Sequence, residues 1–517
     1  MKKYLLFLFL LISPVMYSGF RCGDCDCNIV SHSFFSVRPL YQSASPERVT
    51  LFRDRLHACE DGWNGTVQLT FFGSRTKEPW RLASFFGPSC KPQFTVTSAN
   101  TGDIGDHTVT GAPEYRDIVA QHFNIYFKNG RVFEGFFCLD PEQTVAGLGI
   151  TYKQGIYERD NGKYFWIELS SPLTHIKNQM CIHETVKSDG ELLSLDAVGS
   201  ISEAFRQCSW NFGKIDPYVN HIETRFADLE AKIGYEWLSI DCCFLESYIG
   251  VLIPTGNCVS AKYVFEPIVG HNQHTGATMG SSGIFEWWSS EEQDCYAQYA
   301  FDWHSLYLFE KIEMRSFDLK GKPWSRYMPV YRNKDQAQLA AQLWNNGKYT
   351  EAILLHTPGI NVFTQPLCVN PGFAHTFNSA FILTCKNVRG EIGYNVFARS
   401  AECVRLTCCW EEGPALKDIS GKGDTNHVNT INETFNCTEV RLTVTYYDDN
   451  IITECDLDLA SAAHPAMISH TIYGSLGCYW DDSKFSCFIG TGCAYEFAND
   501  NAALDRWIAW IKGGISF

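Results

Sequence analysis

The side chains best suited to chemistry lie in GHNQHTGATMGSSGIFEWW, residues 270–288. His271 and His274 have the spacing that could bring two imidazoles to one metal. Ser281 or Ser282, in a glycine-rich loop, could serve as a nucleophile with Glu286 nearby. Neither pattern is specific, because the stretch lacks both a Gly-x-Ser-x-Gly elbow and a His-Glu-x-x-His helix. The same residues also suit a surface loop in which Trp287 and Trp288 meet a ligand or partner. A second cluster, FDWHSLYLFEKIE (301–313), sets Asp302, His304, Glu310 and Glu313 among aromatics that could stack on sugar. That is the material of a glycosidase. His183-Glu184 has no third ligand in its neighbourhood of sequence. Asp448, Asp449, Asp456 and Asp458 lack the spacing of a calcium loop. No catalytic set, metal or cofactor is expected from these patterns.

Whether any of them matters depends on compartment. Met1-Lys2-Lys3 followed by the apolar run YLLFLFLLI has the layout of a secretory signal peptide, expected over 1–20. Twenty-two cysteines lie beyond it, beginning with Cys22, Cys25 and Cys27. An even count in an exported chain predicts a disulfide framework of up to about eleven bridges. Three N-x-Ser/Thr sequons make Asn64, Asn432 and Asn436 candidate glycosylation sites. The net charge of −16 argues against nucleic acid. No apolar run is long enough for a membrane-spanning helix.

The elements that would hold these residues are mostly antiparallel strands. Asn129-Gly130 and Asn161-Gly162 mark hairpin turns, and 439–457 and 479–490 read similarly. Helices are expected over 45–60 and 216–234, each from an apolar stripe with a cap and a first-turn proline, and a lone helical hairpin over 333–356, inside the longest cysteine-free stretch. At the terminus, 500–513 is read as an amphipathic helix. Its Trp507 and Trp510 would meet the protein body, a partner or a membrane interface.

The sequence therefore predicts an α+β fold, mostly antiparallel β with a few amphipathic helices: a disulfide-stapled, multidomain ectodomain. Its parts are expected at 21–215 (β-rich), 216–300 (helix plus cysteine-rich) and 301–517 (α+β). Aromatics make up 14% of the chain, which favours binding over catalysis. The expected function is a secreted or surface-displayed glycoprotein, extracellular, on a cell or on a virion as an attachment protein. Its partner would be a protein or glycan receptor, with room for a homo-oligomer. The alternative is a secreted hydrolase, a serine esterase or glycosidase, with its site in 270–313.

Overall fold

The computed structural model describes residues 31–52, 64–87, 93–98, 117–128, 133–159, 163–188, 190–240, 243–290, 292–417, 451–481, 486–498 and 502–517. Twelve strands in chain order form an up-and-down wall: β1 (Gly65–Thr76), β2 (Glu134–Arg159), β3 (Lys163–Ser188), β4 (Leu229–Ile240), β5 (Cys243–Ile253) and β6 (Gly276–Ser290). The wall continues with β7 (Cys295–Leu308), β8 (Gly372–Cys385), β9 (Val388–Arg399), β10 (Met467–Asp481), β11 (Ser486–Ala498) and β12 (Arg506–Ser516). Each strand pairs antiparallel with the next, and β12 returns to β1 over Thr76↔Arg506 to Thr66↔Ser516. Closure leaves the twelve strands without an open edge.

The local sequence explains why these strands form and which way they face. In β1, GTVQLTFFGSRT, the buried positions are Thr66, Gln68 and Thr70, while Val67, Leu69 and Phe71 are 37%, 42% and 60% exposed. In β12, Arg506 and Lys512 point inward and Trp507, Ile511 and Ile515 outward. This is period-two alternation with its polarity reversed relative to a soluble sheet.

The two ends of the barrel differ. Five connections at one end (β2–β3, β4–β5, β6–β7, β8–β9 and β10–β11) span two to four residues each. At the other end, the connections 77–133, 189–228, 254–275, 309–371 and 400–466 are long, and their described parts build a unit that packs on the barrel and adds strands to its sheet. Its main core packs Phe35, Phe86, Phe94, Phe123, Phe205 and Trp324 against Phe397, Met467 and Ala498, which lie near the ends of β9, β10 and β11. A second core is built around Phe317, Phe363, Leu367 and Trp410.

Several expectations are corrected. The fold is a nearly all-β closed barrel, not an α+β ectodomain stapled by disulfides. Among the described residues one disulfide forms, Cys295–Cys385, while Cys208, Cys258, Cys408 and Cys409 are exposed thiols. The ladder itself closes the fold, so staples are not what holds it. The helix expected over 216–234 is a strand, His221–Phe226, followed by the start of β4. The terminal helix expected over 500–513 is β12. Of the helix expected over 45–60, only Pro46–Val49 is helical within the described residues. Helices occur at Lys334–Asn345 and Tyr349–Leu354. Asn161-Gly162 falls at the β2–β3 connection, where Arg159 pairs with Lys163, and β10 and β11 form a hairpin from Asp481↔Ser486. Asn129-Gly130, 439–450, and Cys22, Cys25 and Cys27 lie outside the described residues.

The long-connection unit carries one clear pH liability. Asp458 and Asp318 are paired residues of a two-stranded sheet. Burial, with the Asp318 carboxylate beside it, pushes Asp458 up from 3.8 to about 6. The folded state thus holds this proton more tightly than the unfolded chain. The resulting stability is fully present below the ordinary carboxylate pKa and is lost as pH rises through about 6. Denaturant titrations should show the wild type losing about 2 kcal/mol between about pH 4 and pH 7, after allowance for solvent screening. Asp458→Asn should abolish that slope, and an unchanged slope would show that another group is responsible.

Candidate functional site

The outside of the barrel is one functional surface. Ile249, Met279, Phe381, Ile392, Ile472 and Ile511 stand on it, between 48% and 71% exposed. An aromatic rim borders it at each end. Near the tight turns, Tyr157, Phe165, Tyr235 and Trp237 run ring to ring across β2, β3 and β4, and Trp287 and Trp288 stand on β6 and Trp480 on β10. Toward the long connections, Tyr394, His470, Phe497, Tyr495 and Trp507 form a similar chain across β9–β12. An apolar band between two aromatic girdles matches the hydrocarbon and interface layers of a bilayer. The shortest wall strands, β5 and β12, have 11 residues each. That is enough to cross when tilted. Among the described residues no helix is long and apolar enough to cross a membrane.

The inside of the barrel is the second surface, and the protein's own residues 38–52 occupy it, while Ser31, Ser33 and Phe35 just before them pack into the long-connection unit. Arg48 pairs with Glu168 on β3 and with Glu230 on β4, the latter at 3.0 Å. Ser43 donates to Glu230 at 2.8 Å, and Lys232 bonds Glu168 at 2.9 Å. Arg38 donates to Asn395 at 2.9 Å and lies 3.4 Å from Glu496. Lys512 on β12 donates to the carbonyls of Arg48 and Thr50, and Trp510 donates to the Thr50 hydroxyl at 3.1 Å. Opposite walls of the barrel therefore grip one segment.

The segment is turned tightly to fit. Tyr41, Ala44 and Leu51 have φ values of 64°, 61° and 58°. This left-handed conformation costs roughly 1–2 kcal/mol for each residue with a Cβ. The wall contacts hold the strain in place: the Ala44 carbonyl accepts from Asn395 and the Leu51 amide donates to Glu391, both at 2.9 Å. A cavity of about 40 Å³ remains between segment and wall. It has room for water but not for a solute. Residues 38–52 act as a plug.

Gly149 shows how closely the plug fits. A Cβ built there would run into the Tyr41 ring, so only glycine admits that ring, whose hydroxyl also bonds Thr151. Gly149→Ala should cost about 1–3 kcal/mol through overpacking. It should also make a thiol placed in the plug (Ser43→Cys) react faster with a water-soluble maleimide. Equal labelling rates in the two backgrounds would mean that Tyr41 does not anchor the plug.

The residues singled out from the sequence are distributed over these surfaces and do not assemble one catalytic site. His271 Nδ1–H donates to Asp228 at 2.7 Å, and its Nε2 accepts from Gln42 of the plug at 2.7 Å. His274 faces the Phe309 carbonyl at 2.7 Å and Glu313 at 2.5 Å. Burial pushes the Glu313 carboxyl up, but Arg315 and His274 outweigh it and hold it at about 2. His304 bonds the Tyr248 hydroxyl at 2.9 Å. Ser281 donates to the Glu246 carbonyl at 2.7 Å, and Ser282 to the Glu246 carboxylate at 2.9 Å. Each of these histidines and serines is thus committed to a structural partner. Glu286 sits in β6, and Trp287 and Trp288 belong to the aromatic rim. Asp302 bonds Asn378 at 3.2 Å, and Glu310 pairs with Arg405. His183 faces Cys138 across β2–β3 and lies 3.5 Å from Asp140, yet no group of three metal donors converges among the described residues. Asn64 is 1% exposed, and Asn432 and Asn436 lie outside the described residues.

Sequence reading missed the residues that define both surfaces. Arg38, Arg48, Glu168, Glu230, Lys232 and Lys512 are scattered over the chain, and only strand closure brings them together. The available signal was alternation within strands, such as the charge-apolar-charge-apolar rhythm of LEAKIGYEW.

No family model matches the sequence, and no curated protein matches it. Among solved structures, an outer membrane channel of Pseudomonas putida F1 aligns over 90% of this chain and 97% of its own, with 7% identity and a TM-score of 0.37. The transport unit of the Escherichia coli autotransporter AIDA-I aligns over 91% and 94%, with 7% identity and a TM-score of 0.33. A Pseudomonas aeruginosa FadL homologue aligns over 88% and 90%, with 7% identity and a TM-score of 0.25. Scores this low carry no functional weight, and the barrel rests on its own strand register. That barrel corrects the expectation of a secreted or virion-surface receptor-binding glycoprotein, because an apolar belt between aromatic girdles requires a bilayer. It likewise corrects the secreted hydrolase. A location in the cell envelope, coarsely the expected cell surface, is what remains.

Proposed function

We propose that this chain is an integral barrel of an outer membrane that passes small polar solutes when its plug leaves the lumen. The observation that carries this reading is the way the plug is held. Its charged and polar groups bond to charged and polar groups of the wall, a contact that water can replace on both sides. Leu40 and Tyr41 also pack with Phe72, Val145 and Trp510 of the wall, so a plug that leaves gives up a small apolar contact along with these polar ones. A twelve-strand wall is also wider than the eight-strand barrels that side chains alone can fill. In this placement Trp507 contacts lipid at the interface, while Trp510 faces the plug.

The test is conductance of the full-length protein in planar bilayers. Wild type should be closed at rest, with rare openings at high voltage. Gly149→Ala should open more often, by several-fold. If no current flows through protein whose Ser43→Cys plug is fully labelled, the channel reading is wrong. A second reading, a closed anchor that displays the long-connection unit, would then stand, since that unit packs its main core onto the ends of β9, β10 and β11.

A further inference from the structure

We infer that the opened lumen selects cations over anions, an inference that rests on the channel reading above. Among the described residues, four cations of the buried wall can each be matched to an acid of its own: Lys153 to Glu246 at 2.8 Å, Lys232 to Glu168 at 2.9 Å, Arg389 to Glu391 at 2.9 Å and Arg506 to Glu496 at 2.7 Å. In addition to these balanced charges, the buried wall strands carry Glu230, Glu236 and Asp302 against Lys512. The wall therefore has two more acidic side chains than basic ones, and a water-filled bore is where all of them ionise. In the closed state the plug offsets this excess with Arg38 and Arg48, set against one acid, Glu47. Arg48 sits on Glu230, one of the added acids, at 3.0 Å. The plug is thus a counter-charge as well as a stopper.

When the plug leaves, its arginines leave with it and water fills the bore. The surplus negative charge then faces a narrow channel with low-dielectric walls, where field lines concentrate and mobile counter-ions accumulate. Those counter-ions are cations. Glu236 is the acid to test, because no hydrogen bond or ion pair described above joins it to the plug, so changing it alters the wall without loosening the closure.

The experiment measures reversal potential for the full-length protein under a tenfold KCl gradient. Openings are obtained in wild type by voltage and, separately, in Arg38→Gln/Arg48→Gln. Both should show a reversal potential of the sign for potassium, with several-fold preference over chloride, and Glu236→Gln should reduce that preference in either background. Heat-modifiable migration on gels confirms that each variant is folded, and the wild-type recording keeps the test valid should the double variant fail to assemble. A chloride preference, or a ratio unmoved by Glu236→Gln, overturns the selectivity and leaves the channel standing. No current from protein with a labelled plug overturns both.

Discussion

Arg48→Met should lower the stability of the protein by about 3–5 kcal/mol, the cost of leaving buried carboxylates without their cation. Glu168 and Glu230 both lie under Arg48 and are 4% and 7% exposed. Methionine fills much of the same space, so lost packing is a minor part of the effect. Lys232 would remain, and it touches both acids, which should keep the loss within this range and spare the barrel from collapse. The expected signature is a denaturant midpoint that falls with no change in strand content by circular dichroism. Faster maleimide labelling at Ser43→Cys should accompany it. Restoring charge with Arg48→Lys should recover only part of the loss, because an ammonium cannot span two carboxylates as a guanidinium fork does. A variant as stable as wild type, with its plug still protected, would show that the ion cluster does not hold the plug.

The second large effect concerns the outer face. Ile392 on β9 is 71% exposed. In a soluble protein its replacement by arginine would be nearly neutral. On a lipid-facing strand near the bilayer midplane, Ile392→Arg should cost about 2–4 kcal/mol. The measurement is folding into phospholipid vesicles, with Ile392→Leu as the control. In detergent micelles, which deform around a charge, the penalty should shrink. If Ile392→Arg folds into vesicles as readily as the control, this face does not meet lipid, and the membrane reading of the barrel is wrong.

These expectations differ from the secreted ectodomain that the sequence suggested, and particular residues show why. The strand content was legible: Asn161-Gly162 between β-rich runs falls where β2 turns into β3. Closure was not legible, because it depends on β1 meeting β12 across more than four hundred residues. Strand and helix were confused where apolar residues recur every four positions, since a spacing of four fits a period of two as well as one of 3.6. Ile222 and Phe226 are such a pair, and both are half exposed on one strand. In β12 the helical reading put Trp507 and Trp510 on one face, whereas three positions apart on a strand they point to opposite sides, 53% and 2% exposed. The membrane itself was missed because only a long apolar run was sought, while a tilted strand crosses with about ten alternating residues. Of the candidate site, the histidines were visible as residues, but their partners Asp228, Glu313 and Tyr248 come from strands and segments that no local pattern connects to them.

The grip of the first described residues on the last strand has a consequence for the order of assembly. Lys512 reaches the carbonyl of Thr50 across 462 positions of chain, and Arg506 reaches that of Arg38 across 468. The segment that is synthesised early has no binding surface until the final strand is in register. It must wait, charged and undocked, through the slow search that such distant pairings impose. Its docking is then a timestamp: protection of residues 38–52 reports that the barrel has closed, and a chain stalled before closure would be recognisable by its loose beginning.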